Sequence, residues 1–422
     1  MEFEDVYVYG CSVPTETLHL GKARVSKDRA PTASAPAIVW HTFFVPGNPG
    51  CLWYYLPWLQ DVQAMQQQQA DSIYGAGTVQ VMVHGLSHAN HHFSTVSDTA
   101  AAAATASAAS AKPGAGSQSS TCSAPVYEAY GLDFQIEHVR VFVLATISKY
   151  NSGSGGEPSR PMLSFIGHSI GSYFVLDILQ GAQAGDGWVD TYADADANAD
   201  ANANTNAKGT AAARGPSLAA MTVSVVLAMP FITWSTLNLG HRLQLSAFEA
   251  APAGAVTWGA AKLLSLVQGI PLPKRITYLR RLQSGEGGMD DQCSDVTSSR
   301  FFTKRMISNF VAMGRDEILQ VPANEERMLA IIADLSSRAK VRILSIHTDD
   351  DVWAPLQDKG RIEALAPQVD TLYVPGLQHA FCMVRGQHAA MTQALRVFTG
   401  KLLVHSPGRG RATSAAGARS KL

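Results

Sequence analysis

The sequence predicts an α/β protein built on one doubly wound, mostly parallel β-sheet. Three observations support this fold class. Strand-like and helical segments alternate along the chain, a serine between glycines stands where a strand run gives way to a helical pattern, and an acidic loop and a histidine follow two later strand runs. Such alternation is typical of sheets covered by helices on both faces, whose ligand chemistry lies at the carboxyl ends of the strands.

The alternation consists of short apolar runs separated by segments of helical periodicity. The predicted strands are residues 37–45, 79–83, 162–166, 223–228, 341–346 and 371–374. The predicted helices are residues 134–148, 172–180, 324–339 and 387–403. Because one sheet accommodates all of these strands, we expect a single domain over residues 1–404.

Four segments depart from the alternation. Residues 97–124 are rich in Ala, Ser and Thr, and residues 193–213 repeat Ala with Asp or Asn. Neither has large apolar side chains to offset the entropy cost of ordering, so we expect two disordered surface insertions. Residues 233–302, with their Trp, Leu and Pro residues, are predicted to form a lid inserted after a strand. Residues 405–422 are predicted to be a flexible tail.

Composition excludes some classes of protein. The formal net charge of the 422-residue chain is −1, which predicts no bulk attraction to nucleic acid. The five cysteines are scattered and form no CxxC pair, a pattern typical of reduced intracellular thiols. The acidic start MEFEDVYVYG lacks the features of a secretory signal, so we expect no secretion. The longest apolar run, 218–234, contains polar residues and a proline and is expected to be a buried strand leading into a loop.

The most specific motif is Gly167-His168-Ser169-Ile170-Gly171. It directly follows the strand run LSFI and directly precedes the helical pattern SYFVLDILQ, which is the setting of a nucleophile elbow. In such a turn Ser169 adopts a strained backbone conformation that exposes its hydroxyl at the edge of the sheet. Gly167 and Gly171 are expected there because larger residues would collide with the neighbouring strand and helix.

A nucleophilic serine needs a base to take its proton and an acid to orient that base. In the α/β-hydrolase fold these residues follow one another in the order serine, acid, histidine. An acidic loop follows the strand run 341–346, and His379 follows the next strand run. We therefore predict an α/β-hydrolase fold in which Ser169 is the nucleophile, Asp351 the acid and His379 the base.

Two of these assignments have competitors. Asp349 and Asp350 precede Asp351 in the same loop, and Asp351 is preferred because it begins a D-x-W-x-P arrangement that ends the loop. His347 lies at a strand end and is a candidate for a buried structural histidine. Of these two histidines, His379 is preferred because only it follows the acid along the chain.

The oxyanion of an acyl-transfer reaction needs two backbone N–H donors. One is expected from Ile170, the residue after the nucleophile. The other is expected from the loop Val45-Pro46-Gly47-Asn48-Pro49-Gly50, which follows an early strand run. Since Pro49 has no N–H, Asn48 is the predicted donor.

No metal or cofactor is predicted. The histidines at 84, 88, 91 and 92 have no nearby carboxylate to complete a zinc site, so structural or substrate-loop roles are favoured. The Ala-Asp/Asn repeat at 193–213 lacks the glycine and bidentate Glu of a calcium loop.

Six segments together resemble the lipid-droplet-associated hydrolase family. They are VPGNPG (45–50), SHANHH (87–92), QIEH (135–138), IGHSIGSYF (166–174), the D-x-W-x-P loop (351–355) and HAF (379–381). The resemblance covers about residues 40 to 400 without the two insertions. The family usually carries glycine at the position of Asn90, and neither the insertions nor the last three residues belong to its pattern.

The resemblance implies an ester hydrolase that acts on neutral lipids, namely sterol esters or acylglycerols, at the surface of lipid droplets. Two alternatives stay open. One is a peroxisomal acyl-CoA thioesterase, for which basic residues at a pocket mouth would bind the CoA phosphates. The candidates are Lys274, Arg275, Arg280 and Arg281. The other is a weakly active protein that binds lipid surfaces and organises droplets.

The chain ends in Ser420-Lys421-Leu422, the tripeptide that the peroxisomal import receptor reads at a free C-terminus. The preceding residues are rich in Gly, Ser and Arg, which favours exposure of the signal. We therefore expect import into peroxisomes or a related organelle, as a second location in addition to the lipid droplet.

Overall fold

A computed structural model describes most of the predicted core. It covers residues 2–8, 11–21, 38–91, 130–152, 161–181, 218–233, 274, 288–301, 303–349, 351 and 353–405. The two predicted insertions, most of the predicted lid and residues 406–422 lie outside the described residues.

The described strands form one eight-stranded sheet in the order β1-β2-β4-β3-β5-β6-β7-β8. Their bounds are β1 Glu2–Val8, β2 Cys11–Leu20, β3 Ile38–Val45, β4 Val79–Leu86, β5 Met162–His168, β6 Thr222–Ala228, β7 Arg342–His347 and β8 Asp370–Tyr373. All neighbours from β4 to β8 pair in parallel, whereas β1 pairs antiparallel with β2, and β2 pairs antiparallel with β4. The predicted mostly parallel α/β sheet is therefore confirmed.

Helices occupy both faces of the sheet. They are α1 Leu56–Tyr74, α2 Leu132–Ser152, α3 Ile170–Gly181, α4 Leu218–Met221, α5 Asp291–Val296, α6 Lys304–Ser337, α7 Gln357–Leu365 and α8 Gln387–His405. The helices α2, α3 and α6 contribute to the apolar cluster on one face, and α1 and α8 contribute to the cluster on the other.

Successive side chains of the central strands contribute alternately to the two apolar clusters. Phe165 on β5 packs into the first cluster, and its neighbour Ile166 packs into the second. On β3, Phe43 likewise packs into the first cluster and Phe44 into the second. Successive side chains of a strand point to opposite faces, so a continuous apolar run is buried only when both faces are covered. This arrangement holds the carboxyl ends of β3, β5, β7 and β8 in one row.

Two elements extend beyond the sequence prediction. The predicted helix 324–339 is the second half of α6, which begins 20 residues earlier at Lys304 and contains Pro322. Thr303 caps its start by accepting a hydrogen bond from the N–H of Met306 at 3.2 Å. The β1–β2 hairpin was not predicted, and its buried residues include the polar Thr15, Glu16 and Thr17.

The described end of the predicted lid packs on the core. Cys293 and Val296 are buried in the same apolar cluster as Tyr54 and Phe381, and Met289 forms an isolated β-bridge with Val384. Among the described residues, no helix combines the length and the apolar character that a membrane crossing requires.

Candidate active site

Ser169 occupies the turn between β5 and α3. Its φ is +54°, which lies in the left-handed region that non-glycine residues seldom adopt and that costs free energy. The Ser169 N–H donates to the carbonyl of Ala228 at 3.0 Å, and the Ser169 carbonyl accepts from the N–H of Ser172 at 3.0 Å. The surrounding backbone therefore holds the strained residue at the carboxyl edge of the sheet.

Both flanking glycines fill tightly packed positions. A Cβ atom on Gly167 would lie 2.6 Å from the Cα atom of Ser172 in the following helix. A Cβ atom on Gly171 would lie 2.6 Å from the carbonyl oxygen of Pro46, beyond the end of β3. The turn closes at these short distances because neither residue has a side chain.

The structure brings Ser169, His379 and Asp351 into one hydrogen-bonded row. The Oγ atom of Ser169 lies 2.8 Å from Nε2 of His379. The Nδ1 atom of His379 lies 2.7 Å from Oδ2 of Asp351. Because a carboxylate only accepts, Nδ1 of a neutral His379 carries the proton, and Nε2 is left free to accept the proton of the serine hydroxyl.

The Asp351 carboxylate is fixed by hydrogen bonds to three residues. Its Oδ1 atom accepts hydrogen bonds from the N–H groups of Trp353 at 2.9 Å and Ala354 at 3.0 Å, while Oδ2 faces His379. Burial alone would raise the pKa of Asp351, but the hydrogen bond and charge of His379 and these backbone donors hold it below its ordinary value. Asp351 is thus anionic at neutral pH.

The other candidates for the acid and the base have surroundings that differ from those of Asp351 and His379. The Oδ1 atom of Asp349 is buried without a hydrogen-bond partner, and Asp350 lies outside the described residues. His347 is buried at the end of β7, where its Nε2 atom lies 2.9 Å from the Oγ atom of Ser345 on the same strand. Burial lowers the pKa of His347 to about 4, so it is a neutral core histidine at physiological pH.

The predicted oxyanion donors lie on two elements beside Ser169. Ile170 is the first residue of α3, so its N–H has no carbonyl partner within the helix. Asn48 belongs to the loop after β3, and a Cβ atom on its neighbour Gly47 would lie 2.9 Å from Cβ of Ser169. The loop therefore passes directly over the nucleophile, and the roles of Asn48 and Ile170 stay predictions.

The Asn48 side chain attaches this loop to α6. Its Nδ2 atom donates to the carbonyl of Phe310 at 3.2 Å, and Gly314 lies one helical turn further along the same face. Glu317 follows on this face, is buried, and also interacts with the Asn48 side chain. Burial raises the pKa of Glu317 to about 8, despite the opposing effect of the Asn48 hydrogen bond.

The SHANH segment supports the loop from its other end. The N–H of Gly50 donates to Nδ1 of His91 at 3.1 Å, and the N–H of His88 donates to the carbonyl of Gly50 at 2.8 Å. Gln135 of the QIEH segment makes two hydrogen bonds to the backbone of Ala89, at 2.8 and 3.1 Å. Two of the sequence motifs, SHANHH and QIEH, thus form one continuous support beneath the Asn48 loop, which belongs to the third motif, VPGNPG.

Asn90 adopts a φ of +62°, in the left-handed region that favours glycine. Asparagine tolerates this conformation better than most residues. Asn90 therefore permits a backbone turn here that glycine would also permit.

The histidines considered as metal ligands have structural contacts. The Nδ1 atom of His84 lies 2.8 Å from Nδ1 of His19, and its Nε2 atom lies 2.9 Å from Nδ1 of His41. His88 and His91 are buried against Gly50, and burial lowers the pKa of each. Within the described ranges, no set of His, Cys, Asp and Glu residues has an arrangement that could hold a metal ion. His92 lies outside these ranges.

Sequence reasoning missed Tyr55 and the contacts of His168. The Tyr55 hydroxyl lies 2.7 Å from Nδ1 of His168, and Nε2 of His168 lies 2.8 Å from the carbonyl oxygen of His379. His168 is one of the two variable residues of the elbow pentapeptide, and no pattern around Tyr55 indicates its position. Both side chains are buried.

The row of hydroxyl, imidazole and carboxylate can activate a serine for nucleophilic attack on a carbonyl carbon. The imidazole then carries the proton from the nucleophile to the leaving group, and the acid stabilises the imidazolium that forms between the two steps. The predicted donor to the negative charge that would develop is the N–H of Ile170 at the start of α3.

Comparisons with known families agree with this architecture. A family model described as lipid-droplet associated hydrolase matches residues 39–382. The curated human protein "Lipid droplet-associated hydrolase" is 28% identical over 138 residues, which make up 33% of this chain and 32% of the human protein. The aligned part therefore spans about a third of that relative.

Solved structures share the fold at low sequence identity. The peroxisomal alpha-beta-hydrolase Lpx1 of Saccharomyces cerevisiae superposes with a TM-score of 0.51 at 10% identity, over 96% of this chain and 86% of that chain. The haloalkane dehalogenase DatA of Agrobacterium tumefaciens superposes with a TM-score of 0.50 at 8% identity, over 95% of this chain and 97% of that chain. These likenesses show the α/β-hydrolase fold that the sequence predicted.

Proposed function

Because the chain belongs to the lipid-droplet associated hydrolase family and has the α/β-hydrolase fold, we propose that it cleaves carboxylic esters of neutral lipids through an acyl-enzyme on Ser169. The observation that carries this proposal is the row in which His379 lies 2.8 Å from the Ser169 hydroxyl and 2.7 Å from Asp351. Each of the three side chains has the partner that its role in acyl transfer requires.

In the proposed reaction, Nε2 of His379 takes the Ser169 proton as Oγ attacks the ester carbonyl. The N–H groups of Ile170 and Asn48 bind the resulting oxyanion. The tetrahedral intermediate then releases the alcohol, to which His379 returns the proton. Water, deprotonated by His379, hydrolyses the acyl-enzyme and restores the Ser169 hydroxyl. Asp351 keeps the imidazole oriented and stabilises its charged form throughout.

Apolar side chains near the site favour a lipid substrate. Phe310, whose carbonyl binds Asn48, is exposed and packs edge-on against Phe301. Aromatic surface beside the Asn48 loop suits an apolar acyl chain better than a charged one.

The family name supports action at lipid droplets, where neutral lipid esters are stored. The terminal Ser420-Lys421-Leu422 supports a second address in peroxisomes through the import receptor. Both locations remain proposals that a localisation experiment separates.

Substrate choice is tested with purified protein. The acetate, octanoate and palmitate esters of p-nitrophenol are compared first, followed by emulsions of trioleoylglycerol and cholesteryl oleate, with Ser169→Ala as the control. We expect hydrolysis that requires Ser169 and favours the longer acyl chains and the emulsions. Faster hydrolysis of oleoyl-CoA than of every ester would replace the proposal with a thioesterase. Binding of the emulsions without Ser169-dependent hydrolysis of any substrate would replace it with a lipid-surface protein.

A further inference from the structure

The His168 side chain lies between the two sides of the candidate active site. On one side, its Nδ1 atom lies 2.7 Å from the Tyr55 hydroxyl, which in turn lies 3.3 Å from the N–H of Gly47. On the other side, its Nε2 atom lies 2.8 Å from the carbonyl oxygen of His379. A chain of three hydrogen bonds thus joins the Asn48 loop to the backbone of the histidine that faces Ser169.

The chemistry of the end groups assigns every proton in this chain. The His379 carbonyl only accepts, so Nε2 of His168 must donate. In neutral His168 the Nδ1 atom then accepts, and the Tyr55 hydroxyl donates to it. The Tyr55 oxygen is left to accept the N–H of Gly47. Burial, together with the charge of His379, lowers the pKa of His168 to about 3, so this neutral form persists at physiological pH.

Aromatic side chains enclose the hydrogen bonds that join Gly47, Tyr55, His168 and His379. The ring of Phe381 packs edge-on against His168 at 5.2 Å, and Tyr55 lies 4.6 Å from Phe44 between ring centroids. His168 is 4% exposed and Tyr55 is 3% exposed. Hydrogen bonds shielded from water in this way constrain the groups that they join more strongly than exposed ones.

We propose that His168 and Tyr55 are positioning residues that set the distance between the oxyanion-binding loop and His379. This inference rests on the proposed function, since these hydrogen bonds can position catalytic groups only if Ser169 reacts. Gly47 directly precedes Asn48, so displacement of Gly47 moves the proposed oxyanion donor. Displacement of the His379 backbone moves the base. Both displacements weaken the stabilisation of the transition state more than the binding of the ester. We therefore expect kcat to fall while KM changes little.

Tyr55→Phe is the first test, and Tyr54→Phe is its matched control. Tyr54 is also buried, and its hydroxyl lies 3.0 Å from Oγ1 of Thr297, away from His168. Each variant therefore loses one buried hydroxyl. Using p-nitrophenyl butyrate, we expect Tyr55→Phe to lower kcat roughly 10-fold to 100-fold and to change KM less than about 2-fold. Tyr54→Phe should retain the wild-type kcat, whatever its melting temperature.

Two variants of His168 provide a second test. His168→Gln keeps one neutral donor and one acceptor at the end of a side chain of similar reach, whereas His168→Met keeps neither. We expect Gln to retain several-fold more kcat than Met. This comparison decides the question if Tyr55→Phe does not fold.

The outcomes separate the two claims. If wild type hydrolyses the ester only with Ser169 intact, but Tyr55→Phe matches Tyr54→Phe and the two His168 variants are equal, the positioning role is wrong and the proposed function stands. If the folded wild type has no Ser169-dependent activity on any ester, the proposed function is wrong and the positioning role is lost with it.

Discussion

Asp351 and His379 share a 2.7 Å hydrogen bond across 28 residues of sequence, and the nearby Asp349 has no bond to that histidine among the described contacts. In Asp351→Asn the amide oxygen would accept the backbone N–H groups of Trp353 and Ala354, so the amide NH2 would replace the acceptor that fixes the His379 proton on Nδ1. We predict that Asp351→Asn lowers kcat by roughly 1,000-fold to 10,000-fold, as expected for loss of the correct tautomer. The measurement is steady-state hydrolysis of p-nitrophenyl butyrate by folded protein.

Asp349→Asn is the matched control for that prediction, because it changes the same side chain two residues earlier in the same loop. We expect its kcat to stay within a few-fold of wild type. A severe loss in Asp349→Asn together with near-normal activity in Asp351→Asn would transfer the acid role to Asp349.

Local motifs could be interpreted from the sequence because each is defined by adjacent residues. The elbow around Ser169 was predictable because a strand run, two glycines and a helical pattern are contiguous. Asp351 and His379 were predictable because parallel strands bring their carboxyl ends to one edge, whatever the separation along the chain. The same reasoning predicted the parallel strands of the sheet, with differences of a few residues at their ends.

The remaining features depend on contacts that no local pattern records. Tyr55 lies 113 residues before His168, and only the packed fold makes them neighbours. The first half of α6 was missed because Pro322 usually ends a helix, whereas here packing retains the helix on both sides. The β1–β2 hairpin was missed because its strands pair with one another and lack an intervening helix.

Gly50 is predicted to contribute to stability because of its close contact with His88. A Cβ atom on Gly50 would lie 2.5 Å from Cβ of His88 and closer still to the ring. We expect Gly50→Ala to lower the free energy of unfolding by about 1 to 3 kcal/mol, the usual cost of overpacking. Urea denaturation followed by circular dichroism measures this change.

Gly360→Ala is the control for Gly50→Ala. Gly360 is exposed in the middle of α7 with no atom within 4 Å of its Cβ position. Alanine there should raise the free energy of unfolding by about 0.5 to 1 kcal/mol because it restricts the unfolded chain and favours the helix. Equal effects of the two substitutions would contradict the packing of His88 on Gly50.

Glu317 is predicted to make stability decrease as the pH rises. Its pKa is raised to about 8 in the folded protein, against 4.5 for an ordinary glutamate. Between these values the folded state keeps a proton that the unfolded state releases, so the free energy of unfolding falls with rising pH until about pH 8. Glu317→Gln should remove this loss and stabilise the protein by up to about 4 kcal/mol at pH 8, with little change below pH 4.5.

The measurement for Glu317 is urea unfolding at pH 4.5 and pH 8, with Glu326→Gln as control. The Glu326 side chain is 89% exposed, so its substitution should have a small and similar effect at both pH values. A Glu317→Gln variant that is no more stable than wild type at pH 8 would show that Glu317 ionises normally in the folded state.

The terminal tripeptide predicts a location that can be tested directly. A fluorescent protein fused to the N-terminus should accumulate in peroxisomes when Ser420-Lys421-Leu422 is intact. It should leave them when the three residues are deleted or when extra residues follow Leu422, because the import receptor reads a free C-terminus. Unchanged placement in all three fusions would exclude peroxisomal import through this signal, and a droplet signal in each would favour the family location.

Covalent labelling of Ser169 by a fluorophosphonate tests the central claim most directly, because the probe reacts with an activated serine whatever the natural substrate is. Wild type, Ser169→Ala and the control Ser336→Ala, at a half-buried serine of α6, are labelled under native conditions, and peptide mass spectrometry locates the adduct. We predict an adduct on Ser169 in wild type and in Ser336→Ala, none in Ser169→Ala, and none after heat denaturation. A folded wild-type protein that stays unlabelled, or that is labelled at another serine, would contradict the assignment of Ser169 as the nucleophile.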